Sequence, residues 1–134
     1  MAPTIKAGER VTIDYGRYAV ARPQRWDVVA FEPLWPTNIV VLKRVVALPL
    51  ETITLTTNGI IVNGAVLSMP AFFSNAAAFP RDKLLSPAAG HVKFPYTVPS
   101  NHYFLIGDNW TNSLDSRYYG AVPMSNILGR VMDN

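Results

Sequence analysis

Eleven prolines and eight glycines divide the chain into short runs, and those runs are rich in Val, Ile, Thr and aromatic residues. Proline removes a backbone donor and fixes φ, so it breaks long helices and is kept out of central strands. What remains is a set of segments with strand composition and no long stretch of helical period. Strands are expected near residues 9–15, 26–32, 38–48, 52–57, 60–63, 65–69 and 102–106. Asn58-Gly59 and Asn63-Gly64 each fall between two such runs. Asn-Gly supplies the positive φ angles of a type I′ turn, so residues 52–69 are expected to form a three-strand meander. Residues 70–101 change character, with Pro70, Pro80, Pro87, Pro95 and Pro99 separating Ala- and Phe-rich pieces. This stretch is expected to leave the sheet as an irregular, cap-like excursion. The fold expected is all-β, with residues 1–134 as one domain built on a core from 1–69 and 102–134.

A chain of 134 residues with 49% hydrophobic content is long and apolar enough to bury a core. Its net charge of +3 comes from basic residues scattered singly, with no run to track a phosphate backbone, so no nucleic-acid partner is expected. The absence of cysteine excludes disulfides, thiolate metal sites and cysteine catalysis. His91 and His102 are too few and too far apart to suggest zinc. No metal and no cofactor are expected. No run approaches the ~18 apolar residues of a membrane span. The start carries Pro3, Lys6, Glu9 and Arg10 where a signal peptide needs an apolar segment. The chain as given therefore reads as soluble.

Two places hold candidate chemistry. A period of two along residues 38–48 puts Ile39, Val41, Lys43, Val45 and Ala47 on one face. If that face is buried, desolvation disfavours the ammonium of Lys43 and lowers its pKa. A lysine serves as a general base near neutrality once it falls by roughly 3 units, about 4 kcal/mol. The competing reading is a strand-edge lysine whose head reaches water on a flexible stem. The second place is "GDNWTNSLDSR", residues 107–117. Composition alone fits a polar turn whose Asn, Asp and Ser side chains bond their own backbone. A carboxylate pair of Asp108 with Asp115, or a triad of Ser113, His102 and Asp108, is conceivable on paper, but no G-x-S-x-G elbow supports the triad.

In this order the pieces resemble bacterial type I signal peptidases, membrane-anchored serine proteases that remove signal peptides from exported proteins. The residues that carry the resemblance are Met1-Ala2-Pro3-Thr4, "GERV" at 8–11, "WDVVAF" at 26–31 and "KRVVALPLE" at 43–51. They continue with "VNG" at 62–64, "GDNWTNSLDSRYYG" at 107–120 and "NILGR" at 126–130. The resemblance implies a serine–lysine dyad on a complex β-barrel fold. Lys43 matches the general base and Ser113 the serine that orients it. Asp108, Asp115 and Arg117 match residues that brace the loop. The substrate, a signal peptide with an Ala-x-Ala site, would add as an extended strand between Met1, Pro3 and Ile5 on one side and Val40, Val41 and Leu42 on the other. The resemblance also implies a cytoplasmic-membrane location, with the catalytic domain on the extracytoplasmic face and an anchor upstream of Met1.

The position matching the nucleophilic serine falls directly before Met1, so the polypeptide as written is expected to be inactive. Ala47 and Leu50 replace glycines after the lysine strand, and Glu51 replaces an aspartate. A leucine held at positive φ is strained, so a differently built turn is expected there. Trp110 stands where the family has arginine and suggests an aromatic contact with membrane or a neighbouring loop. Two alternatives stay open: a related pilin-maturing conjugation peptidase, and a non-catalytic module that captures extended peptides in the same groove.

Overall fold

The computed structural model describes residues 1, 4–56, 59–70, 92–110 and 112–133. It is built almost wholly of antiparallel strands, as the punctuated runs predict. Along the chain lie β1 (Ile13–Asp14), the one-turn helix α1 (Arg17–Val20), β2 (Val28–Phe31) and β3 (Val41–Ala47). Next come β4 (Thr52–Thr56), β5 (Gly59–Val62) and β6 (Ala65–Val66). After the undescribed stretch come β7 (Tyr96–Thr97), β8 (His102–Ile106), α2 (Ser116–Tyr119), β9 (Val122–Pro123), a 3₁₀ turn (Met124–Asn126) and β10 (Ile127–Val131). A six-stranded sheet has the order β1-β10-β2-β3-β8-β9, and a four-stranded sheet the order β6-β5-β4-β7.

The meander from β4 through β6 forms as expected. Asn63 and Gly64 both take positive φ, 50° and 82°, which is what a two-residue primed turn requires. Asn58, the first residue of the other Asn-Gly turn, lies outside the described residues. So do residues 71–91, which hold most of the predicted 70–101 excursion. The last part of that stretch returns to the sheet: β7 pairs with β4, and Val98 is wholly buried.

β8 explains why the core has two parts. Its alternate residues Phe104 and Ile106 join a cluster with Val46, Ile53, Ile60 and Val98, between the two sheets. Tyr103 and Leu105 join a second cluster with Val29, Phe31, Val45 and Ile127, on the other face. A strand covered on both faces must be apolar at every position, as 102–106 nearly is.

β10 was not expected as a strand, because Gly129 interrupts its pattern. The structure supplies the reason for that glycine. A Cβ there would collide with the carbonyl oxygen of Asp14 on β1, so only glycine lets β10 approach β1 this closely, while on its other side β10 shifts register against β2 between Ile127 and Gly129. The predicted alternation of 39–47 also breaks. Ile39 and Val40 precede β3 and are exposed. A register shift between Val45 and Ala47 then turns Ala47 into the inter-sheet cluster, away from the face of Lys43.

Candidate active site

β3 presents consecutive charged residues to opposite faces of the sheet. Lys43 sits opposite Val29 of β2 and shares its face with Val41 and Val45. Arg44, opposite Val28 and Ile106, points the other way. The 107–117 loop leaves the end of β8 and reaches both.

On the first face, Lys43 Nζ donates to Ser113 Oγ at 3.0 Å. Burial pushes the Lys43 ammonium below the ordinary lysine range. The charge of Arg117 pushes the same way, while Asp115 and Asp108 oppose it. The amino group of Met1 is close enough to respond as well. Burial lowers its pKa first, the charge of Lys43 lowers it further, and Asp108 works against both. Lys43, Ser113 and Met1 therefore converge, and the solvated strand-edge reading of Lys43 falls.

On the second face, Arg44 grips Asp108 with both ends of its fork, Nε to Oδ1 at 2.9 Å and Nη2 to Oδ2 at 2.7 Å. Both residues are buried, at 5% and 2% exposure. The third guanidinium nitrogen donates to Trp26 O at 2.8 Å. Thr4 Oγ1 also donates to Asp108, fastening the amino-terminal segment to the loop. Charges withdrawn this far from water survive because every guanidinium nitrogen and both carboxylate oxygens have a partner.

A second clamp closes the loop on itself. Arg117 binds Asp115 bidentately, with Nε and Nη2 each 2.8 Å from a carboxylate oxygen. Asp115 is fully buried and caps α2 through the Arg117 amide at 3.2 Å. Its other oxygen takes the Gly107 amide at 3.1 Å. Arg117 also donates to the Trp110 carbonyl at 2.9 Å and weakly to that of Ser113 at 3.5 Å. Ser116 Oγ accepts from Leu105 N at 2.9 Å, tying α2 to β8.

Trp110 is buried in the inter-sheet core, and the Arg117 guanidinium lies 5.7 Å from its ring centroid. The aromatic contact expected of this residue, with membrane or a neighbouring loop, is in the structure an internal one. Each carboxylate of the loop is spoken for by its own arginine, so the Asp108–Asp115 acid–base pair is not available. The triad also falls, since His102 Nδ1 bonds Ser100 O at 2.8 Å, away from Ser113. His91 lies outside the described residues.

The expected substrate residues divide. Among the described residues β3 pairs with β8 only from Arg44 onward, so 41–43 have β2 on one side and no described strand on the other edge. Val41 and Leu42 are half-buried along that edge, and Val40 is 47% exposed just before it. Pro3 lies outside the described residues. Thr4 and Ile5 are turned, with Ile5 N donating to Met1 O at 3.1 Å. Ile5 consequently lines a cavity of about 280 Å³ with Trp26, Val28, Arg44 and Arg130.

Leu50 does take positive φ, 69°, so the turn keeps the shape a glycine would give it. Glu51 beside it is held by Arg25 at 2.7 and 2.8 Å and by the Leu48 amide at 2.8 Å. Arg44, Thr4 and Gly107 were not singled out from sequence. Arg44 was legible in principle, since a charge next to Lys43 on a strand must face the opposite side.

The sequence matches the family described as Signal peptidase, peptidase S26, over residues 1–132. It is 30% identical to the signal peptidase I of Leptolyngbya laminosa, covering 98% of this chain and 62% of that relative. It is 33% identical to the probable signal peptidase I-2 of Synechocystis, covering 97% of this chain and 56% of that relative. The chain thus spans less than two thirds of either relative. A solved signal peptidase I from Enterococcus faecalis V583 superposes with a TM-score of 0.62 at 29% identity, over 84% of this chain and 99% of that one. With the match running through every element that builds the lysine–serine site, the chain belongs to the peptidase S26 family of signal peptidases.

Proposed function

We propose that this chain is the catalytic domain of a type I signal peptidase, which cleaves signal peptides after Ala-x-Ala sites by a serine–lysine dyad. The observation that carries the reading is the contact of a desolvated Lys43 amine with Ser113 Oγ at 3.0 Å, beside Met1. The nucleophile is a serine directly preceding Met1. Neutral Lys43 takes its proton as the hydroxyl attacks the scissile carbonyl, then returns the proton to the leaving amine. Water releases the acyl group by the same route in reverse. Ser113 holds the amine in line, and the two carboxylate–arginine clamps hold Ser113. The peptide pairs with the edge at residues 41–43, with Val40, Val41, Leu42 and the Met1 segment shaping its small pockets.

Among the described residues no helix is long and apolar enough to cross a membrane. The proposed seat on the extracytoplasmic face of the cytoplasmic membrane rests on the family and needs an anchor upstream of Met1.

The reading is tested by placing serine directly before Met1 and following cleavage of an Ala-x-Ala peptide in detergent. Lys43→Ala in that background is expected to lower kcat by about 10²–10⁴-fold. Activity equal to the parent would remove Lys43 from the mechanism. Peptide binding without any turnover would favour a non-catalytic capture module.

A further inference from the structure

Trp26 holds a backbone position that glycine would hold more easily. Asp27 N donates to Gln24 O at 3.1 Å, closing a tight turn over residues 24–27. Of its two central residues only Trp26 has positive φ, 75°, the conformation that a type II turn normally assigns to glycine. Trp26 N then donates to Val45 O, and Val45 N to Asp27 O, both at 2.8 Å. Trp26 and Asp27 thus face the single residue Val45, in a bulge whose left-handed first position is again a glycine site. A side chain there is strained, and such strain persists only where the surroundings impose it. Leu50 carries similar strain with its side chain in solvent. The Trp26 side chain instead packs, partly buried, against the inter-sheet cluster. The backbone gives no reason for tryptophan here, so the reason lies with the indole.

Two routes lead from Trp26 to the amino-terminal segment. The bulge presents the Trp26 carbonyl to Arg44 Nη1 at 2.8 Å, and Arg44 grips the Asp108 carboxylate that accepts from Thr4 Oγ1. The indole lines the cavity of about 280 Å³ that Thr4, Ile5 and Arg44 line too. We infer that Trp26 is a positioning residue for the amino-terminal segment, its indole walling the chamber beside the Thr4–Asp108–Arg44 junction and limiting the water that enters it. The inference rests on the proposed serine before Met1, whose place depends on where Thr4 is fastened. A hydroxyl bound to a carboxylate is held strongly while dry, and less so once water competes for the same oxygen. With the indole gone the chamber widens, Thr4 loosens, and the serine upstream moves with it. A displacement of about 1 Å at the nucleophile is worth about 10²-fold in rate.

The test is a double-variant cycle in the full-length protein with serine before Met1. Its readouts are kcat and KM for an Ala-x-Ala peptide and the melting temperature. Trp26→Gly keeps the backbone and its carbonyl while removing the indole. It is expected to lower kcat by about 10–100-fold, with KM unchanged within about threefold. Trp26→Phe restores a flat apolar wall and is expected to bring kcat back to within about fivefold of the parent. In a Thr4→Val background, where the fastened hydroxyl is gone, Trp26→Gly is expected to cost less than about threefold. Losses that multiply independently would overturn the inference, as would parental kcat in Trp26→Gly or no recovery in Trp26→Phe. Should Trp26→Gly not fold, Trp26→Asn takes its place, since asparagine accepts the same backbone and brings no wall. Failure of both to fold would assign the indole to the core alone and overturn the inference as well. Lys43→Ala is the separate control, because parental activity there refutes the dyad itself. A coupling of Trp26 with Thr4 in melting temperature is expected whether or not the dyad holds, and its absence would sink the inference alone.

Discussion

At the scale of single residues, function and stability pull against each other. Lys43 keeps an amine in a dry site that would suit a hydrocarbon better, and the lowered pKa records the cost. With serine placed before Met1, Lys43→Met is therefore expected to lower kcat by about 10²–10⁴-fold and to raise the melting temperature by roughly 4 °C, about 1 kcal/mol. A lower melting temperature would mean that its contact with Ser113 outweighs the desolvation. Ser113→Ala is expected to cut kcat by about 10²–10³-fold with melting nearly unchanged, which calorimetry and peptide kinetics together would check. Leu50 shows the same tension without any function. It is 69% exposed and holds φ at 69°, a conformation that costs a side chain roughly 1–2 kcal/mol. Leu50→Gly is expected to stabilise by about 0.5–1 kcal/mol after the added freedom of the unfolded chain is set against that relief, read as a higher denaturation midpoint.

Among the elements, the 107–117 loop is the one whose removal of a single partner does most damage. Asp108→Ala would leave Arg44 buried without its counterion, at a cost of about 3–5 kcal/mol. Asp108→Ala and Arg44→Met together should recover much of that loss, and denaturant unfolding of the three variants would show whether they do. This loop also marks the limit of what sequence reveals. Strand runs such as 102–106 were legible because burial on both faces demands apolar residues throughout. The Asn63-Gly64 turn was legible because its backbone needs what those residues allow. β10 was missed because Gly129 reads as a strand breaker until Asp14 O is seen against it. Within the site, Lys43 stood out by its apolar face, and Ser113 was joined to Lys43 only through family resemblance. Arg44 and Thr4 act across 64 and 104 residues of sequence separation, and no local pattern encodes such pairing.

At the scale of the whole molecule, Glu51 and Lys43 tie stability to pH in the same sense. For Glu51, burial alone would raise the carboxyl pKa. The Arg25 side chain, the Leu48 amide and the Arg25 charge outweigh burial and hold it below 4.5. The unfolded chain thus binds more protons than the folded one just below pH 4.5, so stability contributed by Glu51 is complete above that value and is lost as pH falls through the folded pKa. Lys43 also binds fewer protons when folded, between its lowered pKa and 10.5, so stability rises with pH across that window too. Melting of the parent against Glu51→Gln should show an advantage at pH 6 that disappears in acid. Parent against Lys43→Met should converge as pH rises toward 10. Parallel curves in either comparison would contradict the assignment. The adjacency of Lys43 and Arg44, one facing each side of β3, also limits how this lineage can change. A one-residue insertion or deletion upstream in that strand would swap their sides, bringing a permanent cation to the spot reserved for a titratable amine and stranding Asp108. Drift in β3 must therefore proceed by replacement at fixed length, and indels among its descendants should cluster in the connecting loops.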